Sequence, residues 1–243
     1  STNSGKSYVV YGKTGTSAID LSAVAAGTGG FVINGQASND FSGYAVSHAG
    51  DVNGDGLADL IVGAYGASAI AGKSYVVFGQ TGTTAVNLSA VAAGTGGFVI
   101  NGQAAGDGSG NTVSNAGDVN GDGLADLLVG ASAASSNTGK SYVVFGKTGT
   151  TAIDLTTVAA GTGGFAIIGE TAGDYSSTSV SNAGDVNGDG LADVIVGAFG
   201  ANSGAGKSYV VFGKTGTTAI NLTAVAAGSG GVAINGEVVN DSA

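Results

Sequence analysis

Three identical nine-residue segments hold the residues of this chain that are best suited to chemistry. Each segment is Asp-Val-Asn-Gly-Asp-Gly-Leu-Ala-Asp, and the copies begin at Asp51, Asp118 and Asp185. Side-chain oxygens fall at positions 1, 3, 5 and 9, while the glycines at positions 4 and 6 let the backbone curl so that these oxygens converge. A hard cation such as Ca²⁺ takes about six to eight oxygen ligands. The spacing therefore predicts three calcium sites.

Each predicted site uses three Asp carboxylates, one Asn side-chain oxygen and the main-chain carbonyl of the Leu at position 7, with water completing the ligand shell. An ordinary turn is the alternative, because Asp, Asn and Gly dominate turns. A turn needs about two such residues, so four in ligand register, repeated three times without change, favour the metal. The predicted ligands are Asp51, Asn53, Asp55, Leu57, Asp59, Asp118, Asn120, Asp122, Leu124, Asp126, Asp185, Asn187, Asp189, Leu191 and Asp193.

The loop differs from an EF-hand, which requires a bidentate Glu at position 12. Position 12 is Val62, Val129 or Val196 here, inside a short apolar run rich in β-branched residues. Such runs predict strands rather than helices, and a dockerin-type pair of calcium loops is excluded for the same reason. The Asp at position 9 is therefore expected to close each site within the loop of a β-hairpin.

The loops belong to a longer repeat with a fixed period. The sequence GKSYVV begins at Gly5, Gly72, Gly139 and Gly206, so that successive copies start 67 residues apart, as the loops do. A fixed period without insertions indicates one supersecondary unit stacked on copies of itself, as in a solenoid, a propeller or an array.

Composition favours a secreted or cell-surface β-protein. The chain has 48 Gly and no Pro, Cys, Met or Trp, so neither disulfides nor thiol catalysis are available. The formal charge is −10, and all seven basic residues are scattered lysines, which argues against nucleic-acid binding. No apolar run is long enough to cross a membrane. Because the sequence starts at Ser1 and lacks Met, we expect a processed product or an excerpt of a longer protein.

One repeat contains four predicted strands. In the second copy these are residues 112–118, 126–131 and 139–146, and residues 97–102 show the fourth strand in the preceding unit. Residues 152–164 carry Ile153, Leu155 and Val158 near helical spacing, which predicts one short helical turn or an ordered loop. The strands around Leu127 and Tyr142 alternate poorly, as expected for a sheet covered on both faces. A repeated sheet buried on both faces is typical of a β-propeller blade.

The sequence resembles the FG-GAP repeats of integrin alpha-chain propellers and their bacterial relatives. The matching residues are 49–56 followed by 59–64, with counterparts starting at Ala116 and Ala183. The resemblance implies an all-β propeller, usually of seven blades, with Ca²⁺ in the loop that joins the two inner strands. The name-giving Phe-Gly is only Phe41-Ser42-Gly43 in the first copy, and the Pro of Gly-Ala-Pro is missing from all three.

The strand count corresponds to about three and a half blades. The predicted division is a partial blade at 1–40 and full blades at 41–107, 108–174 and 175–243. Two chains would supply the strands of seven blades, but the partial blades would not combine into one complete blade. An excerpt of a longer array is therefore favoured over a half-propeller that assembles in pairs. Either way, open blade edges favour self-association.

Several other features have simpler interpretations. Seven Gly-Lys-Ser or Gly-Lys-Thr tripeptides lack the upstream Gly of a phosphate-binding loop. The single His48 is replaced by Asn115 and Asn182 in the sister repeats, which favours a surface residue over a catalyst. The acids Asp40, Asp107, Asp174 and Asp241 recur before each first strand and are interpreted as turn caps, with direct metal ligands as the alternative.

We therefore expect a calcium-stabilised extracellular module that binds or adheres to a protein or a glycan. The aromatic residues Phe41, Tyr44 and Tyr65 lie where the repeats differ, which suits either a ligand surface or neutral drift. The alternative function is a structural subunit of a self-associating surface layer or fibre. An enzyme is not expected, because the chain has no Cys or Arg, one His and only two Glu.

Overall fold

The computed structural model describes residues 2–240, in which short apolar runs form an all-β chain with brief helical turns between strands. Fourteen strands of five or six residues and three strands of two residues lie in this range. The strands are β1 Lys6–Val10, β2 Gly30–Asn34, β3 Ala45–Gly50, β4 Asp59–Ala64, β5 Lys73–Val77, β6 Val86–Asn87, β7 Gly97–Asn101, β8 Thr112–Gly117, β9 Asp126–Ala131, β10 Lys140–Val144, β11 Ile153–Asp154, β12 Gly164–Ile168, β13 Ser179–Gly184, β14 Asp193–Ala198, β15 Lys207–Val211, β16 Ile220–Asn221 and β17 Gly231–Asn235.

Each repeat folds into one four-stranded antiparallel sheet. The strand orders are β3-β4-β5-β7, β8-β9-β10-β12 and β13-β14-β15-β17, and β1 pairs with β2 in a partial sheet. These fourteen strands agree in number with the sequence prediction. Their bounds differ slightly, since β8 ends at Gly117 and β10 is shorter than the predicted 139–146.

A segment from the next repeat extends the outer edge of three sheets. The two-residue strands β6, β11 and β16 run parallel to β2, β7 and β12 of the preceding repeat. Ile153 pairs with Ile100, and the side chain of Asn101 donates a hydrogen bond to Asp154 at 2.9 Å. Sequence reasoning did not predict these strands, which link neighbouring repeats at their outer edges.

The predicted helical turn follows each of these three segments, and one more such turn lies between β1 and β2. The turns are α1 Leu21–Ala25, α3 Leu88–Ala92, α5 Leu155–Ala159 and α7 Leu222–Ala226. In α5, Leu155 and Val158 are fully buried, as their helical spacing predicts. The Asp20 carboxylate caps α1 by accepting a hydrogen bond from the Ser22 amide at 2.8 Å, which satisfies one of the free amides at a helix start.

A second kind of turn lies between the second and third strands of each sheet. These turns are α2 Ala67–Ile70, α4 Ala134–Asn137 and α6 Ala201–Gly204. Their last three residues have positive φ, for example 54° at Ser68, 56° at Ala69 and 64° at Ile70. The turns are therefore left-handed, a conformation that costs about 1–2 kcal/mol for each residue other than Gly.

Neighbouring sheets pack face to face, so the central strands of the two inner sheets are buried on both sides. One core joins Val76 and Phe98 to Leu127 and Val129 of the next sheet, while Leu128 points into the following core. A third core lies between the partial sheet and the first complete one. Burial on both faces explains why the central strands lack clean alternation. Within residues 2–240, every helix falls short of the length and apolarity needed to span a bilayer.

Candidate metal centre

The three acidic loops connect the first and second strands of the complete sheets. In each sheet the pairing register shifts just before the loop, between His48 and Gly50 in the first and at the same place in the others. This bulge releases the chain from the sheet so that Asp51 enters the loop. All three predicted loops thus occupy the hairpin position expected from the sequence.

The carboxylate of the first Asp organises the loop backbone. Asp51 Oδ1 accepts hydrogen bonds from the amides of Gly54 at 2.8 Å and Asp55 at 3.1 Å, and Oδ2 accepts one from Gly56 at 2.9 Å. The two glycines have φ of 76° and 85°, a region that glycine enters without steric cost. Asp118 and Asp185 make the same three contacts within their own loops.

Positions 3 and 5 are held together beside this carboxylate. Asn53 Nδ2 donates to Asp55 Oδ2 at 2.9 Å, and Asn53 Oδ1 accepts from the Asp55 amide at 2.9 Å. Asp55 Oδ1 accepts from the amide of Leu57 at 2.8 Å. The pairs Asn120–Asp122 and Asn187–Asp189 repeat this arrangement, with Leu124 and Leu191 as the amide donors.

The Asp at position 9 is buried beneath the loop. Asp59, Asp126 and Asp193 are each 0 % exposed. Asp59 Oδ2 accepts from the Val52 amide at 2.9 Å, and Oδ1 accepts from the Gly79 amide at 2.8 Å, so the carboxylate ties the loop to the end of the third strand. Asp126 and Asp193 do the same with equivalent amides.

These buried carboxylates lack a positive partner. Burial raises the pKa of Asp59, and the nearby carboxylates of Asp55 and Asp51 raise it further. The pKa of Asp126 rises for the same reasons to about 7. Within residues 2–240 the one salt bridge joins Lys207 to Glu170, away from the loops.

The donor chemistry fits a hard cation, because every side chain gathered at the loop offers oxygen. Among the described residues, no three acidic, His or Cys side chains form a preformed metal cluster. The carboxylates at positions 1 and 5 instead bind the loop's own amides. Asp59 lies near enough to Asp51 and Asp55 for their negative charges to raise its pKa.

The loops are also joined to one another, which sequence reasoning missed. The amide of Ala125 donates to the carbonyl of Asp51 in the preceding loop at 3.0 Å, and the Lys147 amide donates to the Val52 carbonyl at 2.9 Å. The same pair of bonds connects the second loop to the third. The Leu-Ala pair before position 9 makes this contact between loops, because Leu124 lies against Gly54 of the preceding loop. Its identity in all three copies is the one signal of the contact in the sequence.

Comparison with known families identifies this arrangement. The FG-GAP repeat model matches residues 42–77, 109–144 and 177–211. The chain belongs to the FG-GAP repeat family. Each FG-GAP match covers the first three strands of a sheet together with its acidic loop. Among curated proteins, no relative of the chain is found.

Outside the FG-GAP loops, the other residues considered as functional candidates in the sequence lie in strands and turns. The Lys of four Gly-Lys-Ser tripeptides is the first residue of a strand, as in β5 and β10. His48 is exposed at the sheet surface, and its Nδ1 lies 3.4 Å from Asn115 Nδ2 of the next repeat.

The described acids that precede each first strand, Asp40, Asp107 and Asp174, act as turn caps by accepting from the amide three residues earlier. Asp40 Oδ2 accepts from the Ala37 amide at 3.2 Å, and Asp174 Oδ2 accepts from the Thr171 amide at 3.1 Å. Burial raises the pKa of Asp107, while Lys140 and a hydrogen bond from Ala104 oppose that rise. Asp241 lies outside the described residues.

Proposed function

We propose that this chain is a calcium-stabilised β-propeller module of the integrin type, which serves extracellular adhesion or ligand binding. The observation that carries the proposal is the triplet of buried carboxylates, Asp59, Asp126 and Asp193, each without a cation from the described residues. An uncompensated buried charge is costly. A bound divalent cation would remove that cost in all three repeats.

The calcium sites proposed are the fifteen residues predicted from the sequence. The carboxylates at positions 1, 5 and 9, the Asn oxygen and the Leu carbonyl would hold the ion, which would supply positive charge to the three acids of each loop. This role is structural, since each loop joins two strands and contacts the next loop through main-chain hydrogen bonds. We assign no catalysis to the chain, because its single His48 is a surface residue and the acids serve the loops.

The propeller is supported by the stacking of the sheets. Four sheets follow one another along the chain, each packed on its neighbour through one apolar core, and their first strands adjoin. The FG-GAP family suggests an integrin-like propeller, for which seven blades would be usual. A secreted or cell-surface location follows from the same reasoning, because millimolar calcium is found outside cells.

The experiment is thermal and urea unfolding in Ca²⁺, in Mg²⁺ and in chelator. With calcium at about 1 mM and a dissociation constant of about 10⁻⁴ M, each site adds about 1.4 kcal/mol to the free energy of unfolding. We expect a lower melting temperature in chelator, restored by Ca²⁺ and poorly by Mg²⁺. Asp122→Ala should reduce the response, and Asp40→Asn, outside the loops, should leave it intact. Identical melting in calcium and chelator would contradict the proposal.

A structural subunit of a surface layer or fibre is the second candidate function. Val46 on β3 of the first complete sheet, and both Val232 and Ile234 on β17 of the last sheet, are more than half exposed, which offers apolar area for contact between copies. Light scattering over a range of concentrations tests this function. A mass that rises with concentration favours assembly, and a constant monomer mass argues against it.

A further inference from the structure

An aromatic cluster in the first repeat lies outside every contact needed by the metal loops. Phe41 and Tyr65 stack with ring centroids 5.4 Å apart, and Tyr44 meets Tyr65 edge-on at 4.6 Å. Tyr44 is 66 % exposed, although aromatic side chains are usually at least half buried. The cluster therefore presents a wide aromatic surface to solvent.

This surface forms one wall of a cleft between the first and second repeats. Tyr44, Tyr65 and the exposed Ile70 line a space of about 290 Å³ together with Asp107, Asn111 and Ser132. Asn111 Nδ2 donates to Ser132 Oγ at 2.6 Å, while the buried Asn111 Oδ1 accepts no hydrogen bond. The cleft thus pairs an apolar wall with a wall of hydrogen-bonding groups.

The apolar wall is built on unfavourable backbone. Ile70 in this wall has φ of 64°, and Phe41, which stacks on Tyr65 without lining the cleft, has φ of 53°, the left-handed region that bulky residues avoid. At the same positions the second repeat has Gly108 and Asn137, which adopt this conformation at lower cost. Strained residues of this kind concentrate at binding sites.

We propose that this cleft binds one uncharged pyranose sugar, as the free sugar or as a unit of a glycan. The proposal rests on the ligand-binding function proposed above and names its ligand class. A pyranose has an apolar C–H face that stacks on an exposed tyrosine ring, and its rim of hydroxyls both donates and accepts hydrogen bonds. Asp107 accepts from such hydroxyls, and the Ser132 hydroxyl, which accepts from Asn111 Nδ2, still has its own hydrogen to donate to the sugar.

The charge of the cleft selects against other ligands. Asp107 disfavours an anionic sugar, as does the net charge of −10. A proline-rich peptide needs a groove lined by aromatic residues, whereas one wall of this cleft is polar. An uncharged polyol with one apolar face matches both walls.

The second and third repeats lack parts of the cleft found at the first repeat, which predicts one site per chain. In place of Tyr44, Tyr65 and Ile70, the second repeat has Asn111, Ser132 and Asn137, so the cleft toward the third repeat lacks the aromatic wall. The third repeat keeps a stacked pair, Tyr175 and Phe199 at 5.2 Å, but has Thr178 at the position of Tyr44.

The test is saturation-transfer NMR of the full chain in calcium with methyl glycosides of glucose, mannose and fucose, and with methyl glucuronide as the charged control. We expect at least one neutral glycoside to bind at a single site, with the strongest transfer to its ring C–H protons. The double variant Tyr44→Asn and Tyr65→Ser, which copies the second repeat, should weaken binding about tenfold or more. Phe199→Ser removes an aromatic of the third repeat and should leave binding unchanged.

The outcomes separate this inference from the metal function. Absence of binding by any neutral glycoside overturns it, as does equal binding by wild type and the double variant. Binding of a proline-rich peptide in place of the sugars also overturns it. Melting in calcium and in chelator is measured on the same samples. Calcium-dependent melting without sugar binding refutes the sugar site alone, and sugar binding without calcium-dependent melting supports the sugar site while refuting the metal function.

Discussion

A buried tyrosine on the third strand of each sheet binds the residue that follows the fourth strand of the preceding repeat. Tyr142 donates its phenol hydrogen to Gln103 Oε1 at 2.6 Å, and Tyr209 donates to Glu170 Oε2 at 2.6 Å. A lysine donates to the same oxygen in both repeats. Burial raises the pKa of Tyr142, so the phenol keeps its proton. The chain therefore contains a natural comparison between an amide and a carboxylate acceptor.

Replacing the two tyrosines by Phe should cost different amounts of stability. Both rings are 0 % exposed, and Tyr→Phe removes only the hydroxyl, so the apolar packing of the ring is kept in both variants. A neutral hydrogen bond contributes about 1 kcal/mol and a bond to a charged group about 2 kcal/mol. We expect Tyr142→Phe to lower the free energy of unfolding by about 1 kcal/mol and Tyr209→Phe by about 2 kcal/mol at neutral pH.

The difference should depend on pH with a definite sign. Burial works against ionisation of Glu170, but hydrogen bonds from Tyr209 and Lys207, together with the lysine charge, outweigh it and lower its pKa. A lowered pKa in the folded state stabilises the protein above the pKa of the unfolded chain, and this stabilisation is lost as pH falls through the folded value. The excess cost of Tyr209→Phe should therefore disappear in acid.

Urea unfolding of both variants at neutral and acidic pH, with calcium present, measures this difference. The Glu170→Gln background is the matched control, because there Tyr209→Phe should cost no more than Tyr142→Phe. Equal costs of the two variants at neutral pH in the wild-type background would refute the reasoning. A changed urea dependence would show that the variant alters the compactness of the unfolded or folded state, or breaks two-state unfolding, and that the comparison does not apply.

Three further predictions follow from single positions. Asp126→Asn removes one carboxylate from the middle loop and should reduce the stabilisation by calcium by about 1.4 kcal/mol; calorimetric titration that still finds three sites of unchanged affinity would contradict this. Gly139→Ala places a Cβ about 2.0 Å from the Ser176 carbonyl oxygen at a φ of 82°. We therefore expect the free energy of unfolding, measured in urea, to fall by about 3 kcal/mol or more. Gly149 has open space around it, so Gly149→Ala should change the free energy of unfolding little. Ile70→Asn relieves a β-branched residue at positive φ and should raise stability by about 1 kcal/mol in a thermal melt, and a lower melting temperature would count against the strain.

The residues that repeat with strong periodicity were predictable from the sequence. Runs such as Leu127-Leu128-Val129 are short, apolar and β-branched, and the Asp-Asn-Gly loop before them fixes the hairpin. Leu155 and Val158 have helical spacing, and they form a buried turn as expected. Loop positions 1, 3 and 5 were predicted to converge, and hydrogen bonds hold them together in all three copies.

Contacts between repeats were beyond sequence reasoning. The strand Ile153–Asp154 has only two residues, too few to show the alternating hydrophobic pattern by which a strand is predicted. The left-handed turns use Ser, Ala and Ile at most positions, which have no signature for positive φ, and only Asn137, Asn202 and Gly204 are of types that favour it. Tyr142 and Gln103 lie 39 residues apart in sequence, so only the packing of one sheet on the next brings them together.

The two-residue strands that extend a neighbour's sheet explain how such an array can grow by duplication. Every repeat brings its own four strands together with the segment that covers the outer edge of the repeat before it. Copying one 67-residue unit in tandem therefore adds one new edge and one new cover at the same time. The number of uncovered outer edges stays constant as copies accumulate, so a longer array is no more prone to edge-to-edge aggregation than a shorter one. Insertions within a unit would displace the cover from its edge, and the unvarying length of the repeats in this chain agrees with that constraint.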